Sequence, residues 1–124
     1  MTPIPTPAVA TADESGERTR TAVVTLLRVD CRDAAAADEF DRLTAAVFEH
    51  AADHEPGTLV FARHVVVGRP LSRVFYEIYQ DQAAARIHAG SAALRRLVER
   101  QGELIAEYQI DQLAIGLAKG MPPI

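Results

Sequence analysis

SRVFYEIYQDQAAARIHAGS, residues 72–91, holds the pattern on which the fold turns. Its first nine residues, Ser72 to Gln80, are rich in β-branched and aromatic side chains and read as a strand. Val74, Tyr76 and Ile78 point to one face of that strand, Phe75 and Tyr79 to the other. A strand with one face in water alternates apolar with polar residues, so this one needs cover on both sides. Glu77 stands on the Phe75–Tyr79 face, a carboxylate among rings. Asp81 can cap a short helix over 82–89, which Gly90 ends. His88 lies one turn after Ala84 on the stripe that this helix must turn toward the sheet.

Working outward, TLVFARHVV (58–66) is a second strand, and Gly68 and Pro70 close a hairpin loop before 72–80. Pro56-Gly57 reads as the centre of a type II turn, with proline fixing φ and glycine accepting positive φ. Upstream, Phe40, Leu43, Val47, Phe48 and Ala51 form one helical stripe from an Asp33 cap to about His54. TAVVTLLRVDC (21–31) reads as the first strand. Downstream, Ser91 can cap a helix over 92–108 with Leu94, Leu97, Val98, Leu104 and Ile105 as its stripe. QIDQLAIGLA (109–118) reads as the last strand. The order β-α-β-β-α(α)-β is the split βαβ, ferredoxin-like arrangement, an α+β fold with helices on one face of an antiparallel sheet. A second copy of the same sheet is the simplest cover for the other face, so a homodimer is expected. The domain spans 21–118. Residues 1–20 read as a disordered arm rich in Pro, Thr and Ala, and 119–124 as a tail.

Composition excludes several classes. The formal net charge is −4 and Lys119 is the only lysine, which is no surface for nucleic acid. No apolar run approaches the ~18 residues of a membrane span, and no basic n-region precedes an apolar stretch, so a cytoplasmic protein is expected. Cys31 is the only cysteine, so neither an internal disulfide nor a cysteine zinc site is available. A buried, inert thiol is the expectation for it. No glycine-rich phosphate loop follows a strand. Neither flavin nor metal is therefore expected as a cofactor, and the chain is read as having none.

The residues able to carry chemistry cluster around the decisive stretch. His88 is a candidate base or a hydrogen-bonded core histidine. Glu77 either pairs with an arginine such as Arg63 or Arg86, or orients His88. Tyr79 is a core aromatic or a hydroxyl donor to a ligand oxygen. Arg63 and His64 alternate along their strand, so only one of them faces the helices. His50 and His54 are four residues apart, a metal-compatible spacing, and with Asp53 and Glu55 read as a solvated helix end.

Three pieces carry a resemblance: the EPGTL turn (55–59), EIYQD (77–81), and the A-x-x-x-H-x-x-S spacing of Ala84, His88 and Ser91. In their order and spacing, over residues 21–118, they resemble the antibiotic biosynthesis monooxygenase family, which includes quinol and anthrone oxygenases. The resemblance implies a dimeric α+β barrel with a ligand cavity between sheet and helices. It further implies a cofactor-independent oxidation of an electron-rich aromatic, an anthrone or hydroquinone, by dioxygen. His88 would be the base, directly or through Tyr79, with Glu77 as its orienting partner. Phe61, Phe75, Ile87 and Leu94 would form walls, and Arg63 or His64 would reach the ligand. Members often have tryptophan where this chain has Tyr79, and a His-Phe pair where it has Ala93-Leu94. The chain has no tryptophan or asparagine, which sets it apart from the haem-degrading branch. A cyclase or isomerase acting in the same cavity, or a dimeric ligand-binding protein, are the alternatives.

Overall fold

A computed structural model describes residues 21–121; the arm over 1–20 and the end of the tail lie outside the described residues. The elements run β1 (Val23–Cys31), α1 (Ala34–His54), β2 (Thr58–Val66), β3 (Arg69–Tyr79), α2 (Gln82–Ala89), α3 (Ala92–Leu104) and β4 (Ile105–Leu113). The sheet order is β2-β3-β1-β4, with every neighbouring pair antiparallel. This is the expected ferredoxin-like α+β arrangement.

The caps sit where the side chains call for them. Asp33, Asp81 and Ser91 each accept from the backbone N–H three residues on, at 2.8, 2.8 and 3.1 Å. Each gives an otherwise orphaned N–H of the first helical turn a partner.

The boundaries of β4 and of β3 move. The helical stripe was expected to continue to Tyr108, but α3 ends at Leu104 and β4 starts at once with Ile105. IAEY (105–108) suits either period, and pairing decides: Arg32 N–H donates to Leu104 O at 2.9 Å, and Ile105 then lies opposite Cys31. At its other end β4 stops at Leu113, opposite Val24, because β1 itself begins one residue earlier and offers no partner beyond. The second shift is in the hairpin. β3 begins at Arg69, so Pro70 lies inside it, but β1 pairs with β3 only from Ser72 onward. The missing N–H of Pro70 is thus lost where β1 offers it no acceptor. The positive φ expected at Gly57 is found at Gly68 instead, at 81°.

Register sorts the side chains. Val23, Thr25 and Leu27 face Tyr79, Glu77 and Phe75 on the helix side, while Val24, Leu26 and Arg28 face Ile78, Tyr76 and Val74 on the other. The main core is built on the helix side from Val29, Phe40, Phe75, Leu104 and Ile105, with Phe40 and Phe75 edge to face at 5.9 Å. Arg73 crosses this layer and holds Asp41 of α1 through both carboxylate oxygens, at 2.9 and 3.0 Å. Cys31 is buried there, and burial pushes its thiol pKa up, which keeps it a thiol. On the opposite face Val24 and Ile78 are buried within a single chain. Met121 returns over this face to bring its sulfur 4.0 Å from the Tyr76 hydroxyl, so the tail does not simply run off the domain.

Candidate active site

The site begins where α1 ends. Glu55 closes the helix by donating its backbone N–H to Ala51 O, and Thr58 N–H donates to Glu55 O at 3.0 Å across Pro56-Gly57. This turn folds the Glu55 side chain inward until it is 1% exposed. Its Oε1 accepts from Thr58 Oγ1 at 2.9 Å and lies 2.8 Å from His88 Nδ1.

Gly57 has ordinary negative φ, and what it supplies is room. A Cβ there would lie 2.6 Å from Ala84 Cβ, so α2 can approach the turn only against glycine. Gly57 O also accepts from Gln80 N–H at 2.8 Å. Gly57→Ala should therefore push α2 away and cost about 1–3 kcal/mol, the range for overpacking, as read by urea denaturation.

His88 is 5% exposed. Its ring lies edge to face against Phe61, with centroids 4.8 Å apart, and at 46° to Tyr79, 5.2 Å away. In a neutral imidazole, an acceptor at Nδ1 selects the tautomer with the proton on that nitrogen and the lone pair on Nε2. His88 lines a cavity of about 100 Å³ between sheet and helices, walled by Phe40, Phe61, Phe75, Leu94 and Leu97. An apolar cavity of about 150 Å³ engineered in another protein accepts benzene, so this space is on the scale of one ring.

The floor of the cavity is polar. Tyr79 OH donates to Glu77 Oε1, and Thr25 Oγ1, across the ladder from Glu77, is buried with no hydrogen-bond partner. Burial holds the Glu77 carboxyl above the usual carboxylate range, against the opposing pull of Tyr79 and of the nearby His88. Burial, with Glu77 beside it, pushes the Tyr79 phenol far up as well. A raised carboxyl pKa means that the folded state prefers the protonated acid. Glu77 costs nothing while both states are protonated, and its cost grows as pH rises past the unfolded value of ~4.3 toward the higher folded one. Glu77→Gln should then melt close to wild type in acid and increasingly above it as pH rises, a trend that thermal scans between about pH 5 and 8 will follow.

The structure rearranges the expected roles. His88 is held by Glu55, not by Glu77. Glu55 had been assigned to a solvated helix end, yet it is among the most buried polar groups. Glu77 pairs with Tyr79 and with neither arginine. Arg86 is exposed, and Arg63 Nη1 is spent on Asp41 O at 3.0 Å and Thr44 Oγ1 at 2.5 Å. The Tyr79 hydroxyl is directed to Glu77, and its ring lies 5.2 Å from that of His88. Of the pair on β2, Arg63 is on the helix side but braces α1 outside the cavity lining. His64 is on the far face, exposed, with Nδ1 3.1 Å from Val74 O. Ile87 is 61% exposed and forms no wall, because it lies with Arg86 on the solvent side of α2. Phe61, Phe75 and Leu94 do line the cavity, together with Thr25, Thr44 and Gln101. The His50 and His54 rings lie tilted at 41° with centroids 5.0 Å apart, and among the described residues no group of three or more His, Cys, Asp or Glu is placed to hold a metal ion.

A split βαβ sheet with one buried His–carboxylate pair facing an aromatic-walled cavity defines a small α+β protein with an internal chamber. No protein-family model matches the sequence, and no curated protein does. Solved structures do match. One described as a "putative antibiotic biosynthesis monooxygenase" from Bacteroides thetaiotaomicron superposes with a TM-score of 0.74 at 23% identity, covering 84% of this chain and 97% of that one. Another so described, from Caulobacter crescentus, has a TM-score of 0.69 at 19% identity, covering 78% and 92%. A protein from Mycobacterium tuberculosis has a TM-score of 0.68 at 21% identity, covering 81% and 99%. The chain thus has the fold found in structures bearing the antibiotic biosynthesis monooxygenase name, as the turn, strand and helix motifs implied. Among the described residues, no helix is long and apolar enough to cross a membrane.

Proposed function

We propose that the protein is a cofactor-independent monooxygenase that oxidises an electron-rich aromatic of the hydroquinone or anthrone type with dioxygen, in secondary-metabolite biosynthesis. The observation that carries this reading is the His88–Glu55 pair set into an aromatic-walled cavity. The names of the matching structures support the same reading. Nε2 of His88 takes a proton from the substrate, and the resulting anion is electron-rich enough to reduce dioxygen itself. A C–O bond forms, the O–O bond breaks, and the second oxygen leaves as water. For a hydroquinone the balance is hydroquinone plus O2 to hydroxyquinone plus H2O. For an anthrone, CH2 plus O2 gives C=O plus H2O. Thr25 Oγ1 supplies an unspent hydrogen-bonding group for a substrate oxygen. The cavity volume favours a single ring over a tricycle.

Oxygen uptake with alkyl hydroquinones and with anthrone tests the proposal, using ¹⁸O2 to trace one atom into product. Turnover without oxygen consumption would identify a cyclase or isomerase instead. Tight binding with no turnover would identify a binding protein.

We also propose that the working unit is a homodimer formed through the face away from the helices. Leu26, Val60, Val74 and Tyr76 are there, apolar or aromatic and only partly buried in one chain. Light scattering at micromolar concentration should give twice the chain mass. A stable, folded monomer would overturn this arrangement.

A further inference from the structure

We infer that Glu55 and His50 form a proton path that connects His88 to solvent through the wall of the domain. The inference rests on the reading of His88 as the base. Glu55 uses Oε1 for His88 and Thr58, and its Oε2 is buried without a hydrogen-bond partner. The atom nearest to satisfying it is His50 Nε2, at 3.4 Å, within ion-pair reach but outside hydrogen-bond alignment. His50 sits on the last turns of α1, one helical turn before His54, and its side chain is 37% exposed. The line therefore runs from the cavity to His88, through a carboxylate that is 1% exposed, to an imidazole that meets water. A small rotation of His50 closes the one loose joint.

The chemistry gives such a path a use. Each turnover removes two protons from the substrate, and one base serves both. A proton arriving at Nε2 of His88 lets the Nδ1 proton pass to Glu55, and from there to Nε2 of His50 and on to water. His88 is then neutral with its proton on Nε2; as that proton passes to the reduced oxygen, one returns from water through His50 and Glu55 to Nδ1, and Nε2 is free to take the second. Both protons still end in water, so the overall stoichiometry is unchanged. Apart from His50 and His88, the group that faces Glu55 is the Thr58 hydroxyl, which donates to it, with Tyr79 close enough for Glu55 to raise its pKa.

His50→Gln tests the path, since glutamine keeps an N–H near Oε2 and does not relay a proton. Two readouts are used. In the ligand-free protein, NMR follows exchange of the His88 Nδ1 proton with water at low temperature. In oxygen uptake with an alkyl hydroquinone, kcat and KM are separated. The expected result is exchange slowed and kcat lowered by ~10-fold or more, less than the ~10²–10⁴-fold of a group that meets the reacting atom itself, with KM unchanged. Imidazole added to the buffer should restore both. Exchange and kcat equal to wild type would overturn the path. Faster exchange would also overturn it, by showing that His50 is a plug. If exchange slows but His88→Gln retains full turnover, the path stands and the reading of His88 as the base falls.

Discussion

His88→Gln should lower turnover by about 10²–10⁴-fold, the range for loss of a general base, while the protein remains folded. Glutamine has no basic nitrogen to offer the cavity, yet its amide can still donate to Glu55 Oε1. His88→Ala should behave differently, losing activity and stability together. The ring faces the cavity with one edge and a buried carboxylate with the other, so alanine removes the base and also strands Glu55. Steady-state oxygen uptake and urea denaturation on both variants separate the two effects. A fully active His88→Gln would move the chemistry to the floor of the cavity, around Glu77, Tyr79 and Thr25.

The second large effect is expected at Glu55. Glu55→Ala removes the acceptor of two buried donors, Thr58 Oγ1 and His88 Nδ1, and should cost about 2–3 kcal/mol in urea denaturation. Turnover should fall as well, because a free His88 ring has no fixed tautomer. Glu55→Gln restores an acceptor of the same size, so most of the stability should return. Activity should return less completely, since a neutral amide does not stabilise the imidazolium formed when His88 takes a proton. An alanine variant as stable as wild type would show that Glu55 is not the buried anchor that the geometry makes it.

Both residues lie in stretches that stand out in the sequence, but only His88 is legible there as a side chain turned toward the sheet. His88 was legible because its helix is short, capped by Asp81 and ended by Gly90, and only one stripe can meet the sheet. Glu55 was not. Its neighbours His54 and Asp53 are exposed, and a carboxylate at a helix end ordinarily belongs to solvent. The available signal was the tetrad Glu-Pro-Gly-Thr itself. A turn that brings Thr58 back to Glu55 pulls the carboxylate under the helix rather than out from it. Glu77 was recognised as anomalous among Phe75 and Tyr79, and it is. The error lay in its partner. Arg63 or Arg86 was expected, but Arg86 is exposed and Arg63 is bound to Asp41 and Thr44 on α1.

By itself the sequence determined the order of elements, the three helix caps, the two-sided character of β3 and the helix face that carries His88. Those depend on period, side-chain chemistry and the nearest few residues, all of which act within one element. Only the tertiary structure decided where α3 gives way to β4, because IAEY suits both periods and pairing with Cys31 breaks the tie. Only it showed that Gly57 serves Ala84 rather than a turn angle, and that Glu55 and His88, 33 residues apart, meet at 2.8 Å. Such choices rest on which groups compete for one buried partner, and that competition exists only once sheet and helices have closed on each other.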